Sequence, residues 1–596
     1  MKKNNLLISK FYFELLFFNR LSQRILFFLF FILFFHEHRA QEVNLEVAGK
    51  RQIESFYRIL KPAKTIDSVI PISNIQYPLL SLKYKTSFEL DSIKIAKVKL
   101  VEKLEPLKPI YLKAGLGNGI STLFDAYYGS LRSRKNLFTA QISHRGFFGS
   151  IPNYAPSTLA KTDLFIENKW IESKKDFQTK LYFSDFLIHQ YGLKNTTIKR
   201  DSIKQRWNTI DAEASIRLKK KDTMALQHRL VLGYRHFREK SPESDSIKNL
   251  KIVENNLKLN SYLLYRFGKE SINLNSQLIY NRFSVLKGKD SILNYRGNQL
   301  INQSKDNILL TLNPFIKSFS KDLKLKYKIG LLFALDYNVW NYVQNTKAYI
   351  YPDIEIKYSL FNDLFIPYLI IKGGLKQISA YQSSVLNPFI ASNNLYLNEN
   401  QIINSKVGFK GTFSDKISFH LSFLFNQSKN AAFFINDTLQ SFGNEFSLVY
   451  DQLTQIGGEI ALSYEIENNL KTELNVCYFN NQTKTLPFAW NLPDLTGSLR
   501  IKYVGIKNLT LQMEGVVENG RTALATDSLH SDGNKSGTYY LKLPIIVDFN
   551  FETQYQFYKN VSVFLQVNNF IAQRFQRWYN YPTMGIQVLG GLSIKL

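Results

Sequence analysis

The residues best suited to chemistry are scattered, and their spacing argues against a catalytic site. Gly115-Leu116-Gly117-Asn118-Gly119 is glycine-rich, but no Gly-Lys-Ser/Thr follows it and no helix is predicted after it. A phosphate-cradling loop needs both. The segment reads instead as a tight connection between two strands. His144 sits between Ser143 and Arg145 in a strand pattern, with no acid and nucleophile spaced to form a triad. Glu459, Glu465, Glu473 and Glu514 recur as single acids on alternating segments, as a hydrated wall would carry them. Cys477 is the only cysteine, so internal disulfides and cysteine-based zinc clusters are excluded. The sequence therefore predicts no enzyme, no cofactor and no metal.

The elements that would carry these residues are strands. From Ile545 the odd positions run Ile545, Val547, Phe549, Phe551, while Asp548, Asn550 and Glu552 fill the even ones. Leu325, Tyr327, Ile329 and Leu331 likewise alternate with Lys324, Lys326 and Lys328. Successive side chains of a strand point to opposite faces, so each segment has one apolar and one polar wall. Such two-faced strands, repeated from Pro109 to Leu596, suit a barrel with lipid outside and water inside. Lys324, Lys326, Lys328, Glu473, Asp548, Asn550 and Glu552 are thus the candidate lumen-lining residues.

Ten tight polar connections punctuate the pattern, from Leu131–Asn136 through Gly268–Glu270 to Tyr558–Asn560. Each joins two strands, and an opening and a closing strand bring the expected total to about 22, an even number as bacterial barrels require. Longer connections are expected at Tyr337–Ala348, Lys376–Ser405, Asn426–Gly457, Asn480–Thr496 and Val517–Tyr539. Trp340, Tyr342, Trp578 and Tyr581 lie near strand ends, where an interfacial aromatic girdle would place them.

The first forty residues combine a basic start, an apolar core at Ile25–Phe35 and the small residue Ala40. That is the pattern of a secretory signal peptide, with cleavage expected after Ala40. Residues 41–108 lack alternation and contain four prolines, reading as an extended periplasmic or lumen-filling segment. The formal charge is +28, from 76 Lys/Arg against 48 Asp/Glu. The lysines are spread along the whole chain beside abundant Asn, Ile, Phe and Tyr, a bias that A/T-rich codons explain. Nucleic acid is not an expected partner. A basic lumen or rim that attracts anionic solutes or lipopolysaccharide phosphates is the sharper alternative.

Val567-Asn568-Asn569-Phe570, then Trp578-Tyr579-Asn580-Tyr581-Pro582, Gly585 and the final strand resemble the end of TonB-dependent receptors. Leu596 stands where that family commonly ends on an aromatic residue. Tyr111–Asn118, followed by Tyr127-Tyr128, Ser130-Leu131-Arg132-Ser133 and His144, looks like a plug-lacking branch of that superfamily. Members with a plug carry more than about a hundred residues ahead of the barrel; here 68 separate Ala40 from Pro109. The resemblance implies an outer-membrane barrel serving solute passage or uptake. Its expected partners are outer-membrane lipids, lipopolysaccharide and other envelope proteins, with the solute unnamed. A structural barrel that scaffolds envelope proteins is the alternative, and a barrel-embedded hydrolase is weakest for want of a catalytic set.

Overall fold

A computed structural model of the chain describes residues 108–596 apart from 132, 195–196, 220–225, 241–249, 288–303, 319–323, 341–342, 393, 437–442, 467–468 and 527–537. The expected leader, and segment 41–108 up to residue 107, lie outside the described residues. Twenty-two antiparallel strands hydrogen-bond in sequence and close on themselves. The opening strand Ile110–Gly117 pairs with Ser121–Gly129 on one side and with the closing strand Gln587–Lys595 on the other. At the seam Ile110 and Leu596 exchange backbone hydrogen bonds of 3.1 and 2.9 Å. The ten expected short connections fall between neighbouring strands at the seam's chain-terminal end, which makes that end periplasmic. Ser320–Asp322 and parts of Leu131–Asn136, Lys219–Asp222 and Glu467–Asn469 lie outside the described residues.

Register fixes the faces. In Leu325–Trp340 the exposed residues Ile329, Leu331, Phe333 and Leu335 form one row. Lys326, Lys328, Ala334 and Asp336 form the other. The pairing carries this division without a slip through the strands before and after it. Beside the closing strand, Phe551, Tyr555 and Phe557 are exposed while Asp548, Asn550 and Glu552 occupy the opposite face of Ile546–Tyr558. Exposed leucines and aromatics along the outward row make an apolar exterior that suits lipid.

The Gly-rich segment is the hairpin expected of it. Asn118–Ile120 forms a single 3-10 turn between the first two strands, and Gly119 takes φ +61°. The His144 ring nitrogens bond Thr122 Oγ1 at 3.1 Å and Thr162 Oγ1 at 2.8 Å on the neighbouring strands. Cys477 is a half-buried free thiol, on the same face of Leu470–Thr483 as Glu473 and Asn475.

Two expected long connections are instead extended strand pairs. Ile417–Asn436 and Phe446–Ile466 remain paired up to Asn436↔Phe446, well inside 426–457. Leu325–Trp340 and Val343–Tyr358 pair up to Trp340↔Val343. The alternation fails there for opposite reasons. Residues 343–348 are exposed on both faces, whereas Ala431, Phe433 and Leu453 are buried against Trp490 of the connection beyond.

Closure leaves no room for a side chain at one point of the seam. A Cβ on Gly591 would lie 2.1 Å from the Ala114 carbonyl oxygen and 2.6 Å from Gly115 Cα. One on the adjacent Gly590 would meet only the Phe564 carbonyl oxygen at 3.9 Å. Gly591→Ala is therefore expected to cost about 1–3 kcal/mol and to reduce the heat-modifiable folded band on unheated gels, while Gly590→Ala leaves it unchanged.

Candidate outer-mouth gate and inner wall

The connection 377–398, between Phe365–Lys376 and Glu399–Thr412, folds across the end opposite the short turns. Its contacts reach both sides of the barrel. Tyr396 meets Phe283 edge-on at 5.1 Å, while Ala391 N donates to the Phe446 carbonyl and Phe446 N to that of Phe389, each at 2.9 Å. Strands so far apart around the sheet can be bridged only across the mouth. Buried Ile188, Trp207, Phe237, Phe389, Phe434 and Phe446 form one apolar core there, made partly of inward side chains and partly of this connection.

Polar anchors hold the segment in place. The buried Glu254 carboxylate accepts the Ala380 N–H at 2.7 Å, at the start of the helix Ala380–Leu386, and Ser379 Oγ caps Gln382 N at 3.3 Å. The Arg235 guanidinium lies 4.1 Å above the Tyr381 ring, a cation–π contact. Ser392 donates to buried Glu239 at 2.6 Å, and Gln205 donates to the same carboxylate. Asn398 Nδ2 reaches Asp336 at 2.9 Å and Asn307 Oδ1 at 3.3 Å. Buried polar groups cost free energy unless paired, so these bonds specify where the segment docks.

A second connection, 569–586, packs on the first. Tyr581 stacks on Phe389 with ring centroids 3.4 Å apart, and Trp578 lies edge-on to Phe434 and Phe446 at 5.1 and 5.4 Å. The girdle expectation for Trp578 and Tyr581 is thus corrected: both rings pack into this core, because their connection turns inward rather than along the lipid. Arg521, 1% exposed at its side chain, donates to the Gln576, Arg577 and Pro544 carbonyls at 2.9–3.1 Å. Burial pulls its guanidinium below the usual value, against the opposing charge of Glu518. Burial raises the hydroxyls of Tyr191, Tyr396 and Tyr581 and keeps them neutral, and those of Tyr191 and Tyr581 donate to the Pro582 and Asn444 carbonyls.

Below the core the inward rows are polar. Lys326 and Lys328 share the row of Asp336, which touches the docked segment. Lys328 pairs with Asp353 and lies 4.2 Å from the Phe315 ring centroid. Lys324 sits in the turn beneath that strand, its carbonyl accepting Ser359 N at 2.7 Å. Glu552 pairs with Lys113 at 2.7 Å across the seam. Asn550 Nδ2 donates to Asp548 at 3.3 Å, and its Oδ1 accepts Asn569 N at 3.0 Å. Glu473 pairs with Lys471 at 2.8 Å. A cavity of about 680 Å³ brings Glu473, Asn550 and Glu552 together with Arg500 and Lys502. The polar row was readable from alternation. The docked connections were not, since 377–398 and 569–586 have no period and their partners lie far away in sequence.

No protein-family model and no curated protein matches the chain. Solved structures do. The pyoverdine outer membrane receptor FpvA from Pseudomonas aeruginosa PAO1 superposes with a TM-score of 0.61 at 11% identity, covering 83% of this chain and 79% of that one. The FrpB iron transporter from Neisseria meningitidis gives 0.60 at 10%, covering 83% and 82%. The copper transporter OprC gives 0.59 at 11%, with the same coverage. The fold is that of outer-membrane receptor barrels. At these identities the likeness is one of fold. With closed edges and an apolar exterior, the barrel belongs in the outer membrane.

Glu254→Ala leaves the Ala380 N–H buried without an acceptor. It should loosen the helix Ala380–Leu386 by about 2 kcal/mol, read as roughly thirty-fold faster amide exchange there. Exchange in Leu325–Trp340 should not change.

Proposed function

We propose that the chain is a non-catalytic passage for a solute across the outer membrane, shut at its outer mouth by its own connections. In this reading Lys326, Lys328, Glu473, Asp548, Asn550 and Glu552 line the lumen beneath that closure, with Lys324 at its periplasmic rim. The observation that carries it is the contrast along one inner face: aromatic packing against 377–398 and 569–586 above, paired charges below. A barrel that only scaffolds other proteins has no need of an anchored, separately packed door over a hydrated wall. The likeness in fold to transport receptors favours passage as well. The plug-lacking form is part of the proposal and rests on the resemblance carried by Tyr111–Asn118 and the residues after it. So are removal of the leader after Ala40 and a separate role for 41–108. Lipopolysaccharide around the barrel and envelope proteins at its ends are the partners proposed with it.

The door is released by removing its anchors. Glu254→Ala combined with Phe389→Ala and Trp578→Ala deletes one polar tie and two aromatic contacts, each large-to-small change costing about 3–5 kcal/mol locally. In planar bilayers the unaltered chain should show low conductance and the triple variant a severalfold higher one, both remaining heat-modifiable. A folded triple variant that stays as closed as the parent would overturn the passage reading and favour the scaffold.

A further inference from the structure

The inner wall is not evenly charged. Around most of it cations come with carboxylates: Lys113 with Glu552, Lys180 with Glu213 at 3.1 Å, and Arg500 with Glu514 at 2.9 Å. The arc from Leu250–Phe267 to Glu399–Thr412 differs. Following the register across it, the inward rows of the lower half hold Lys258, Lys317, Lys326, Lys328, Lys357, Lys372, Lys406 and Lys410. Among the described residues the carboxylates facing them from those strands are Asp353 and Glu355. Asp353 pairs with Lys328, and Glu355 is shared between Lys357 and Lys372. Lys406 borrows Glu459 at 3.0 Å from Phe446–Ile466. Among the described residues Lys258, Lys326 and Lys410 make no ion pair, and Lys317 has only the longer-range attraction of Glu355.

Genome-wide lysine abundance explains the number of cations but not their segregation to one side of one face. Uncompensated like charges on one wall repel one another. Strands spaced about 4.8 Å apart spread these four lysines over roughly 30 Å of wall. A single small anion could touch one or two of them. An extended solute with several anionic groups could satisfy them together, and a low-dielectric cleft lined with one sign of charge concentrates such a ligand.

We propose that this arc is a binding wall for an extended solute bearing several phosphate, sulfate or carboxylate groups. The proposal rests on the passage reading and names the class of solute that passes. Pyrene trisulfonate serves as the probe, its anisotropy followed with the full chain in detergent micelles. Binding is expected at low salt, is lost as salt screens the wall, and is absent for the cationic dye rhodamine 6G. Replacing Lys258, Lys317, Lys326 and Lys410 by Gln should weaken binding at least about tenfold. Replacing the outward Arg206 and Arg238 by Gln should leave it unchanged, with both variants checked for heat-modifiability. Equal binding by the inner variant and the parent, or an equal loss in the outer variant, would overturn the proposal. Should only the inner variant fail to fold, Lys326→Gln and Lys410→Gln made singly must each weaken binding, or the proposal fails. Anion binding without conductance in the door-released protein would sink the passage reading while leaving this wall; conductance without anion binding would do the reverse.

Discussion

Two backbone hydrogen bonds between Ile110 and Leu596, and the paired strands that follow from them, are what the rest of the molecule depends on. In hydrocarbon an unpaired peptide group costs several kcal/mol, so a sheet can cross the bilayer only with both edges joined. The seam is built for close approach, with Gly115 facing Gly591 and the Phe564 ring packed beside them. Once it closes, a residue's face follows by counting from it, except where the register slips. The register slips that occur in the strands around 377–398, between Lys372 and Gly374, Gln401 and Ile403, and Ser428 and Ala431, lie toward the outer end. There the wall meets docked protein instead of lipid and water, and a change of phase turns Ala431 and Phe433 into a small core with Trp490.

Away from the slips, the constant faces make a chemically divided tube. Its exterior is apolar, its lower interior is charged, and its upper interior is filled with aromatic side chains contributed by wall and connections alike. These three environments need three different sequence patterns, and only the first two are periodic. The upper core is held by polar ties at its edges, Glu254 to Ala380 N, Glu239 to Ser392, and Asp336 to Asn398. Ties of that kind fix one docked position for the segment over its buried aromatic core.

This division explains what could be read from the residues. Alternation at Ile545–Phe557 and Leu325–Tyr337 depends on one lipid face and one water face, so strands, turns and the polar row of Lys326 and Lys328 were legible. Where both faces meet water, as at 343–348, or both meet protein, as at 431–433, the same backbone carries no period and read as loop. Trp578 and Tyr581 were misread because an aromatic near a strand end looks alike whether it turns toward headgroups or toward Phe389. Deciding between them requires the distant partner, which no local pattern supplies.

The central claim is a polar inner row lying beneath a closed outer mouth. It is tested most directly by labelling single cysteines in intact cells, in a Cys477→Ser background, with a membrane-impermeant thiol reagent. A cysteine at Lys328 should stay unlabelled from outside and react once the outer membrane is permeabilised, while one at Ile329, facing lipid, should stay silent in both. Labelling of Lys328→Cys from outside would show the mouth to be open, and labelling of Ile329→Cys in its place would show the strand to be inside out.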